Sequence, residues 1–286
     1  MGHVLFEEIM EVSKKIYHME VREDDTWVVT LPKTGTTWMT HIVSAIKNLK
    51  TPVKSSNKWY FLEFEGFGLD KGEFEEKSKQ PAKADDEYDQ SVSYTECISA
   101  SSPRNVKTHL PISMLPPKLL DKCKVIYVAR NPQDTCVSFY YHEKAFGPYN
   151  GDFQSFFKLF VNNQLYYTPY WTHLKEAFGV KEHPNLLFIF YEDMKSDFKG
   201  SLHKIAEFLG HNLSSSEVEM LADTLSIRSM KKNAKDKVLK DVILRKGIVG
   251  DWKNHFTDDM IEDMKHFTTK GAEGCKVDFP DQWSLH

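Results

Sequence analysis

Residues 30–38, TLPKTGTTW, have the composition of a site that holds an anion. They follow an apolar run and precede a segment whose apolar residues recur at helical spacing. Gly35 permits backbone conformations that other residues resist, and Thr36 or Thr37 can cap the helix. A helix N-terminus directs several backbone N–H groups and a partial positive charge towards one point. Lys33 adds a full charge beside it, so the spacing favours an anion site.

The same turn departs from the common nucleotide-binding P-loop. That motif, G-x-x-x-x-G-K-[ST], places its lysine after the second glycine and reserves one hydroxyl for Mg²⁺. Here Lys33 precedes Gly35, which is the only glycine of the turn. Many strand-to-helix turns that contain Gly and Thr bind nothing. Phosphate binding and an ordinary turn are both open at this point, and the decision depends on the rest of the chain.

A lysine and a histidine form a second group, in the segment KTHLP at 107–111. Lys107 and His109 are two residues apart, so on a strand they face the same side. A cation beside an imidazole disfavours the imidazolium form and keeps the ring available as a base near neutral pH. The alternative is a structural histidine at a strand end. The pairing favours a base without deciding the question.

Two further basic groups could bind phosphate. Arg130 ends an apolar run and offers a bidentate fork, and Ser138 follows on the next helical segment. The alternative is an ordinary ion pair between Arg130 and Asp134. Residues 228–246 are strongly basic and end at the Arg-Lys-Gly of 245–247, where the glycine allows the backbone to wrap a phosphate. The alternative there is a solvated helix face.

Four segments are predicted to be strands: three are apolar runs of the length of a buried strand, and 105–110 is a short, more polar one. They are 26–31, 105–110, 124–130 and 186–193. Helical segments alternate with them, for example the amphipathic 201–210, which ends in glycine. This alternation predicts an α/β fold with a mostly parallel sheet, in which ligands bind beyond the carboxyl ends of the strands. Four polar residues lie at or just beyond those ends: Lys33, His109, Arg130 and Glu192.

The composition is that of an ordinary globular protein. The chain has 286 residues, 41% apolar and 27% charged, and is large enough for a substantial core. A net charge of −4 attracts neither nucleic acid nor acidic membrane, so we expect no partner of either kind. No apolar run could span a bilayer, and the N-terminus lacks the pattern of a signal peptide. We therefore expect a cytoplasmic protein.

The cysteine spacing and one charged segment allow two further predictions. The four cysteines are scattered, without a C-x-x-C pair or metal-ligand spacing, so we expect reduced thiols rather than disulfides or a zinc site. Residues 71–90 are charged and poor in apolar residues, which predicts a mobile surface loop.

Six motifs occur in the order and spacing of the cytosolic sulfotransferase family: LPKTGTTW, VKTHLP, VIYVARNPQDTCVSFY, FIFYEDMK, SMKKN and RKGIVGDWKNHF. The sequence resembles this family over most of its length, from about residue 23 to residue 257. The resemblance implies a single domain over 1–286, built as an α/β fold. It has a central parallel β-sheet of about five strands flanked by helices, and a P-loop-NTPase-like phosphate-binding loop. It also implies 3′-phosphoadenosine 5′-phosphosulfate (PAPS) as the donor, the bisphosphate PAP as the product, and no metal.

The resemblance also implies which residues bind the cofactor. Lys33 resembles the residue bonded to the leaving phosphate oxygen, and the backbone of 34–37 surrounds the 5′-phosphate. The family usually has Ser where Thr34 stands. Trp38 resembles a residue that stacks on adenine, and Tyr191 a polar adenine contact. The implied cofactor set is Lys33, Thr34, Gly35, Thr36, Thr37, Trp38, Arg130, Ser138, Tyr191, Leu225, Ser226, Ile227, Arg245, Lys246 and Gly247.

The catalytic residues that the resemblance implies are His109, Lys33, Lys107 and Ser138. His109 resembles the general base that deprotonates the acceptor hydroxyl, and Lys107 is placed to stabilise charge on the transferring sulfonate. In-line displacement at sulfur needs no metal. The acceptor is predicted to be small, hydroxylated and largely apolar: a phenol, steroid, retinoid or other alcohol. Its implied contacts are Phe61, Phe64, Lys107, His109, Phe146 and Tyr149.

Two departures from the family pattern change the expectations. Leu225-Ser226-Ile227 stand where the family has Thr-Ser-Phe, so an aliphatic contact replaces an aromatic cover over adenine. The family's dimer motif, K-x-x-x-T-V-x-x-x-E, corresponds to KNHFTDDMIE at 253–262, with Asp258 in place of the apolar valine. Burying a carboxylate on both sides of a two-fold axis is costly. We therefore expect a monomer.

The residues also bear on two other functions. A P-loop nucleotide kinase that uses ATP and Mg²⁺ is opposed by the missing G-K-[ST] and by the histidine beside Lys107. A relative that binds the nucleotide without turning it over is opposed by the presence of Lys33, His109 and Ser138.

Overall fold

The computed structural model describes residues 3–50, 58–67, 93–234 and 239–280. The predicted loop at 71–90 lies outside the described residues, as do residues 235–238 of the basic run.

Five strands form one parallel sheet. They are β1 (Thr26–Thr30), β2 (Trp59–Phe61), β3 (Asn105–Thr108), β4 (Lys124–Ala129) and β5 (Leu186–Phe190). The order across the sheet is β2-β3-β1-β4-β5, so β1 lies at the centre with β3 and β4 as its neighbours. Val28 of β1 is in register with Lys107 on one side and Ile126 on the other. The predicted α/β fold with about five parallel strands is confirmed.

Helices cover both faces of the sheet. In chain order the α-helices are α1 (Glu7–Tyr17), α2 (Thr36–Lys50), α3 (Tyr94–Ser99), α4 (Leu119–Lys122), α5 (Pro132–Ala145), α6 (Phe153–Val161), α7 (Tyr170–Gly179), α8 (Tyr191–Ser196), α9 (Phe198–Phe208), α10 (Ser215–Leu225), α11 (Ile227–Asn233) and α12 (Asp258–Ala272). Short 3₁₀ segments lie at Phe64–Phe67, Ile112–Met114 and Asp251–Asn254, and a π-helical turn lies at Leu239–Ile243.

The core has two layers because successive strand residues point to opposite faces of the sheet. Trp27 and Val29 of β1 belong to the layer beneath α1, α6, α7 and α12. Val28 belongs to the other layer, beneath α2, α8, α9 and α10. All five residues of β1 are buried, as the central strand of a parallel sheet requires. Because helices cover both faces of the sheet, a ligand site is expected at the edge where the carboxyl ends of the strands meet.

Two of the predicted segments change at their ends. The apolar run 186–193 is a strand only as far as Phe190, and Tyr191 begins α8. The helix predicted at 201–210 covers Phe198–Phe208, starts three residues earlier at the Asp197 cap, and is followed by Gly210 with φ +78°. None of the four predicted strands corresponds to β2, which the sequence did not indicate. Within the described residues, no helix is both long and apolar enough to cross a membrane.

Candidate functional site

A cavity of about 640 Å³ opens at the carboxyl edge of the sheet. Residues at or just after the ends of all five strands line it. Of the predicted site residues, seventeen line this one cavity: Lys33, Gly35, Thr36, Thr37, Trp38, Phe61, Phe64, Lys107, His109, Arg130, Ser138, Phe146, Tyr191, Ile227, Arg245, Lys246 and Gly247. The fold therefore brings together residues that are separated by more than two hundred positions in sequence.

The turn between β1 and α2 is fixed by backbone conformation and by threonine hydroxyls. Gly35 has φ +117°, which side chains rarely adopt, and Lys33 has φ +72°. Thr34 differs from its neighbours, because its hydroxyl donates to the carbonyls of Leu31 and Val128 at 2.9 Å and its side chain is buried away from the cavity. Thr34 thus holds the turn against the sheet, whereas Thr36 begins the helix.

Lys33 stands among other cations. Burial of its ammonium group, together with the charges of Arg130 and Arg245, lowers the pKa of Lys33 to about 7, although Glu143 acts in the opposite direction. Concentrated positive charge of this kind is relieved by an anion. The electrostatics of the turn therefore fit phosphate or sulfate.

Arg130 is buried, with 8% of its surface exposed, and several contacts orient its guanidinium group. Its guanidinium donates to the carbonyls of Lys33 and Ile248 at 3.2 Å and lies 4.5 Å from the centre of the Tyr191 ring. The alternative pairing with Asp134 exists only at 3.9 Å. The Nε of Arg130 has no hydrogen-bond partner in the described structure. A buried donor without a partner indicates a missing acceptor.

The basic loop at 245–247 is held by one acidic residue. Arg245 and Lys246 donate to the carboxylate of Asp251 at 2.7 Å and 2.6 Å. Burial alone would raise the pKa of Asp251, but these hydrogen bonds lower it well below its ordinary value. Gly247 has φ +63°, and a Cβ there would lie 2.3 Å from Ile227 Cγ2. The loop thus presents a backbone that only glycine allows, close to the wall of the cavity.

The residues predicted to contact adenine differ in what they do in the structure. Trp38 donates from Nε1 to the Leu225 carbonyl at 2.8 Å and packs edge-on against Tyr191. Ser226 caps α11 by accepting from the Ser229 N–H, and its side chain does not line the cavity. Of the Leu225-Ser226-Ile227 trio, only Ile227 lines the cavity.

His109 is held in one tautomer. Its Nδ1 lies 2.9 Å from the carbonyl oxygen and 3.1 Å from the hydroxyl oxygen of Thr30. The carbonyl can only accept, so the shorter contact requires the proton on Nδ1, and the hydroxyl has Thr36 as a second partner. Burial lowers the pKa of His109 to about 3, aided by Lys107 and opposed by the Thr30 hydrogen bond. The ring is therefore neutral at pH 7, with an unprotonated Nε2. No group in the described ranges is hydrogen-bonded to that nitrogen.

Residues that were not predicted position His109. The carboxylate of Glu63 accepts from the His109 N–H at 2.6 Å, and His173 Nε2 donates to the His109 carbonyl at 3.0 Å. The imidazole also meets Phe61 and Tyr167 edge-on, at centroid distances of 5.3 Å and 5.5 Å. Two hydrogen bonds thus hold the His109 backbone, and two aromatic rings hold its imidazole.

Phe61, Phe64 and Phe146 form an apolar part of the cavity wall. The predicted contact Tyr149 is not among its lining residues. Tyr149 borders a second cavity of about 260 Å³, where its hydroxyl donates to the Asp152 carbonyl at 2.8 Å. The structure thus places Tyr149 outside the cavity for which it was predicted, with its ring packed against Tyr140 and Phe156.

The sequence interpretation missed several lining residues, among them His142, Glu143, Tyr166 and Tyr167. One signal was available for His142. Ser138, His142 and Phe146 follow each other at intervals of four, which places them on one face of a helix. All three line the cavity.

The described residues also bear on metal binding and on disulfides. Among the described His, Cys, Asp and Glu side chains, no group of three is arranged to hold a metal ion. All four cysteines lie within the described ranges and carry free thiols: Cys97, Cys123, Cys136 and Cys275.

A family model described as a sulfotransferase domain matches residues 23–276. The chain belongs to the sulfotransferase family. Among curated proteins, this sulfotransferase is 33% identical to mouse sulfotransferase 1A1 over 97% of this chain and 94% of that protein. It is 31% identical to bovine sulfotransferase 1E1 over 97% of this chain and 93% of that protein. The predicted family and transferase class are confirmed, and the nucleotide-kinase alternative receives no support.

Solved sulfotransferase structures share the fold. Retinol dehydratase in complex with androsterone and the inactive cofactor PAP superposes with a TM-score of 0.83 at 28% identity, over 98% of this chain and 90% of that one. Mouse sulfotransferase SULT7A1 complexed with PAP gives a TM-score of 0.73 at 28% identity, over 93% of this chain and 91% of that one. PAP in both neighbours agrees with the predicted cofactor.

Proposed function

We propose that this sulfotransferase transfers sulfonate from PAPS to a hydroxyl of a small, largely apolar acceptor, with His109 as the general base in an in-line displacement. When bound, PAPS supplies the sulfonate group and leaves as PAP. We further propose that residues 1–286 act as one domain, in the cytoplasm, without a metal.

The observation that carries the proposal is the state of His109 in the cavity. A base must be unprotonated before it acts, and the low pKa of His109 supports this at neutral pH. The Thr30 carbonyl fixes the proton on Nδ1, which leaves Nε2 to take the proton of the acceptor hydroxyl. Lys33 and Lys107 line the same cavity, so positive charge is available where negative charge develops.

The fit of the donor rests on two anion-binding groups. The α2 N-terminus with Lys33 suits a 5′-phosphosulfate, because backbone N–H groups and a cation point to one place. Arg130 with its unpaired Nε, Ser138 and the 245–247 loop suit a 3′-phosphate. Trp38, Tyr191 and Ile227 provide apolar and aromatic surface between them for a base.

The acceptor class rests on the remaining wall of the cavity. Phe61, Phe64, Phe146 and Tyr167 supply apolar surface near His109. The retinol dehydratase neighbours contain androsterone or retinol, both apolar alcohols, which supports an acceptor of this kind here.

Calorimetry and radiolabelled sulfonate transfer test the proposal together. We expect PAP to bind tightly, ATP with Mg²⁺ to bind weakly, and His109→Ala to lower transfer by about 10²- to 10⁴-fold with PAP affinity nearly unchanged. His203→Ala is the matched control, because His203 is an exposed histidine on α9, away from the cavity. Preference for ATP with Mg²⁺, or normal turnover in His109→Ala, would contradict the proposal.

A further inference from the structure

A second histidine, His142, lines the cavity, and neither the donor contacts nor the base proposed above uses it. It lies on α5 one turn after Ser138 and one turn before Phe146, and all three residues line the cavity. Its ring is 5.1 Å from that of Phe146, centroid to centroid. His142 therefore stands between the donor end and the apolar wall.

Glu143 holds the His142 ring and is itself held by Tyr166, and we call His142, Glu143 and Tyr166 the His142 cluster. His142 Nδ1 lies 2.9 Å from Glu143 Oε1, which also accepts a short hydrogen bond from the Tyr166 hydroxyl. Glu143 is only 3% exposed. Residue 147 is glycine, and a Cβ there would lie 2.1 Å from Glu143 Oε2. The carboxylate is thus packed in one position.

The cluster fixes which nitrogen of His142 carries a proton. A carboxylate accepts hydrogen bonds, so Nδ1 donates to Glu143. Burial and the charge of Lys33 lower the pKa of His142, against the opposing effect of Glu143. The ring is then neutral with a lone pair on Nε2, and within the ranges that the structure describes no group donates to that lone pair.

The cavity therefore contains two imidazoles in the same state. His109 and His142 line the same cavity, and each presents an Nε2 that can only accept. An acceptor with one hydroxyl can donate to only one of them. The other would lose its hydrogen bond with water on binding, and an unmade buried hydrogen bond is unfavourable.

We infer that His142 binds a second hydroxyl of the acceptor, adjacent to the one that reacts at His109, so that the preferred acceptors are vicinal diols and catechols. The second hydroxyl donates to His142 Nε2 and orients the first towards His109. This inference rests on the proposed function, because it names the substrate class of the same site.

Matched acceptor pairs test the inference. A phenol is compared with the catechol that carries the same alkyl substituent, and an alkanol with the vicinal diol of the same chain length. For the wild type we expect kcat/KM for sulfonate transfer to be roughly ten-fold higher for each dihydroxy partner. A ratio of about two reflects only the presence of two reacting hydroxyls and would overturn the inference.

Substitution of His142 assigns the preference to this residue. We expect His142→Phe to reduce the ratio to about two, and His142→Gln, whose amide oxygen can still accept, to retain part of it. His203→Phe on the exposed side of α9 is the control and should leave the ratio unchanged. An unchanged ratio in His142→Phe would overturn the inference, with PAP affinity showing that the variant is folded.

Nitrogen NMR of the imidazoles tests the tautomer without any substitution in the cluster. The inference requires a proton on Nδ1 of His142 and a lone pair on Nε2, and a proton on Nε2 alone would overturn it. Failure of the proposed function has a different outcome, namely no PAP binding and no transfer to any acceptor. Transfer to phenol and alkanol without a dihydroxy preference contradicts this inference alone.

Discussion

Lys33 carries two unfavourable features at once. Its backbone has φ +72°, a conformation that costs about 1–3 kcal/mol in a residue with a side chain. Its ammonium is buried beside Arg130 and Arg245, which lowers its pKa to about 7. Such strain persists only where the surrounding structure imposes it, and it clusters at functional sites. The backbone strain and the buried charge of Lys33 both lower the stability of the folded protein, and a bound anion would stabilise the charge.

The shifted pKa of Lys33 predicts proton uptake when PAP binds. In the free protein, Lys33 loses its proton as pH rises through about 7, whereas a bound phosphate stabilises the charged form and raises the pKa. At pH 8 the phosphates of PAP are already deprotonated, so binding should take up roughly one proton per PAP. PAP affinity should accordingly decrease as pH rises above 7.

Calorimetry at pH 8 in buffers of different ionisation enthalpy measures this uptake. Lys33→Met should bind PAP more weakly and take up no proton. Lys195→Met offers a comparison, because Lys195 lies over Trp38 but does not line the cavity. Equal uptake by the wild type and Lys33→Met would show that another group titrates.

At the scale of single residues, the sequence predicted that three residues would lie close together, and the structure places all three at one cavity. Lys33, His109 and Arg130 were predicted because each follows an apolar run, and strand ends of a parallel sheet meet at one edge. The structure places Tyr149 outside this cavity, and the sequence did not indicate the His142 cluster. Tyr149 and His142 lie on α5 or in the loop after it, where the direction of a side chain depends on packing against distant rings that the local sequence does not reveal.

At the scale of elements, the turn between β1 and α2 determines the donor site. It needs Gly35 for two reasons: φ is +117°, and a Cβ would lie 2.9 Å from Tyr191 Cδ2. Tyr191 begins α8 and lines the cavity, so a side chain at 35 would displace a second element of the site.

Gly35→Ala is therefore expected to lower PAP affinity at least ten-fold and the free energy of unfolding by about 1–3 kcal/mol. Gly210→Ala is the matched control, because Gly210 has φ +78° but no atom within 4 Å of the added Cβ, and it lies beyond the end of α9. It should lose stability through backbone strain and keep its PAP affinity. Titration calorimetry and chemical unfolding measure both quantities, and normal PAP binding by Gly35→Ala would contradict the prediction.

The sequence predicted the presence of strands better than it predicted where each strand ends. β1, β4 and β5 are apolar runs of five or six residues, and runs of this kind indicate buried strands. β2 has only three residues, Trp59–Phe61, at the edge of the sheet, and so short an aromatic stretch has no period to read. The end of β5 was set too late because the polar residues after Phe190 form a helix that follows without a break.

For the whole molecule, charge is distributed unevenly. The net charge is −4, yet five basic side chains line the one cavity: Lys33, Lys107, Arg130, Arg245 and Lys246. The cavity can attract a small polyanion while the remaining surface does not recruit large ones.

The oligomeric state stays a prediction, and the structure gives Asp258 a role that does not involve dimerisation. Asp258 is exposed and lies in the first turn of α12, where a carboxylate interacts favourably with the helix dipole. We expect sedimentation equilibrium at micromolar concentration to give the monomer mass of 33.2 kDa. A dimer that dissociates in Asp258→Arg would contradict this prediction.

The central place of β1 has a consequence for biosynthesis. β1 is complete at Thr30, but its neighbour β4 ends only at Ala129. The ribosome adds the roughly one hundred residues between them in about 5–20 s, during which an apolar strand lacks at least one edge partner. The nucleotide cannot protect it, because the loop at 245–247 is made later still. The nascent β1 therefore spends that interval without β4 and without the ligand that the finished site binds.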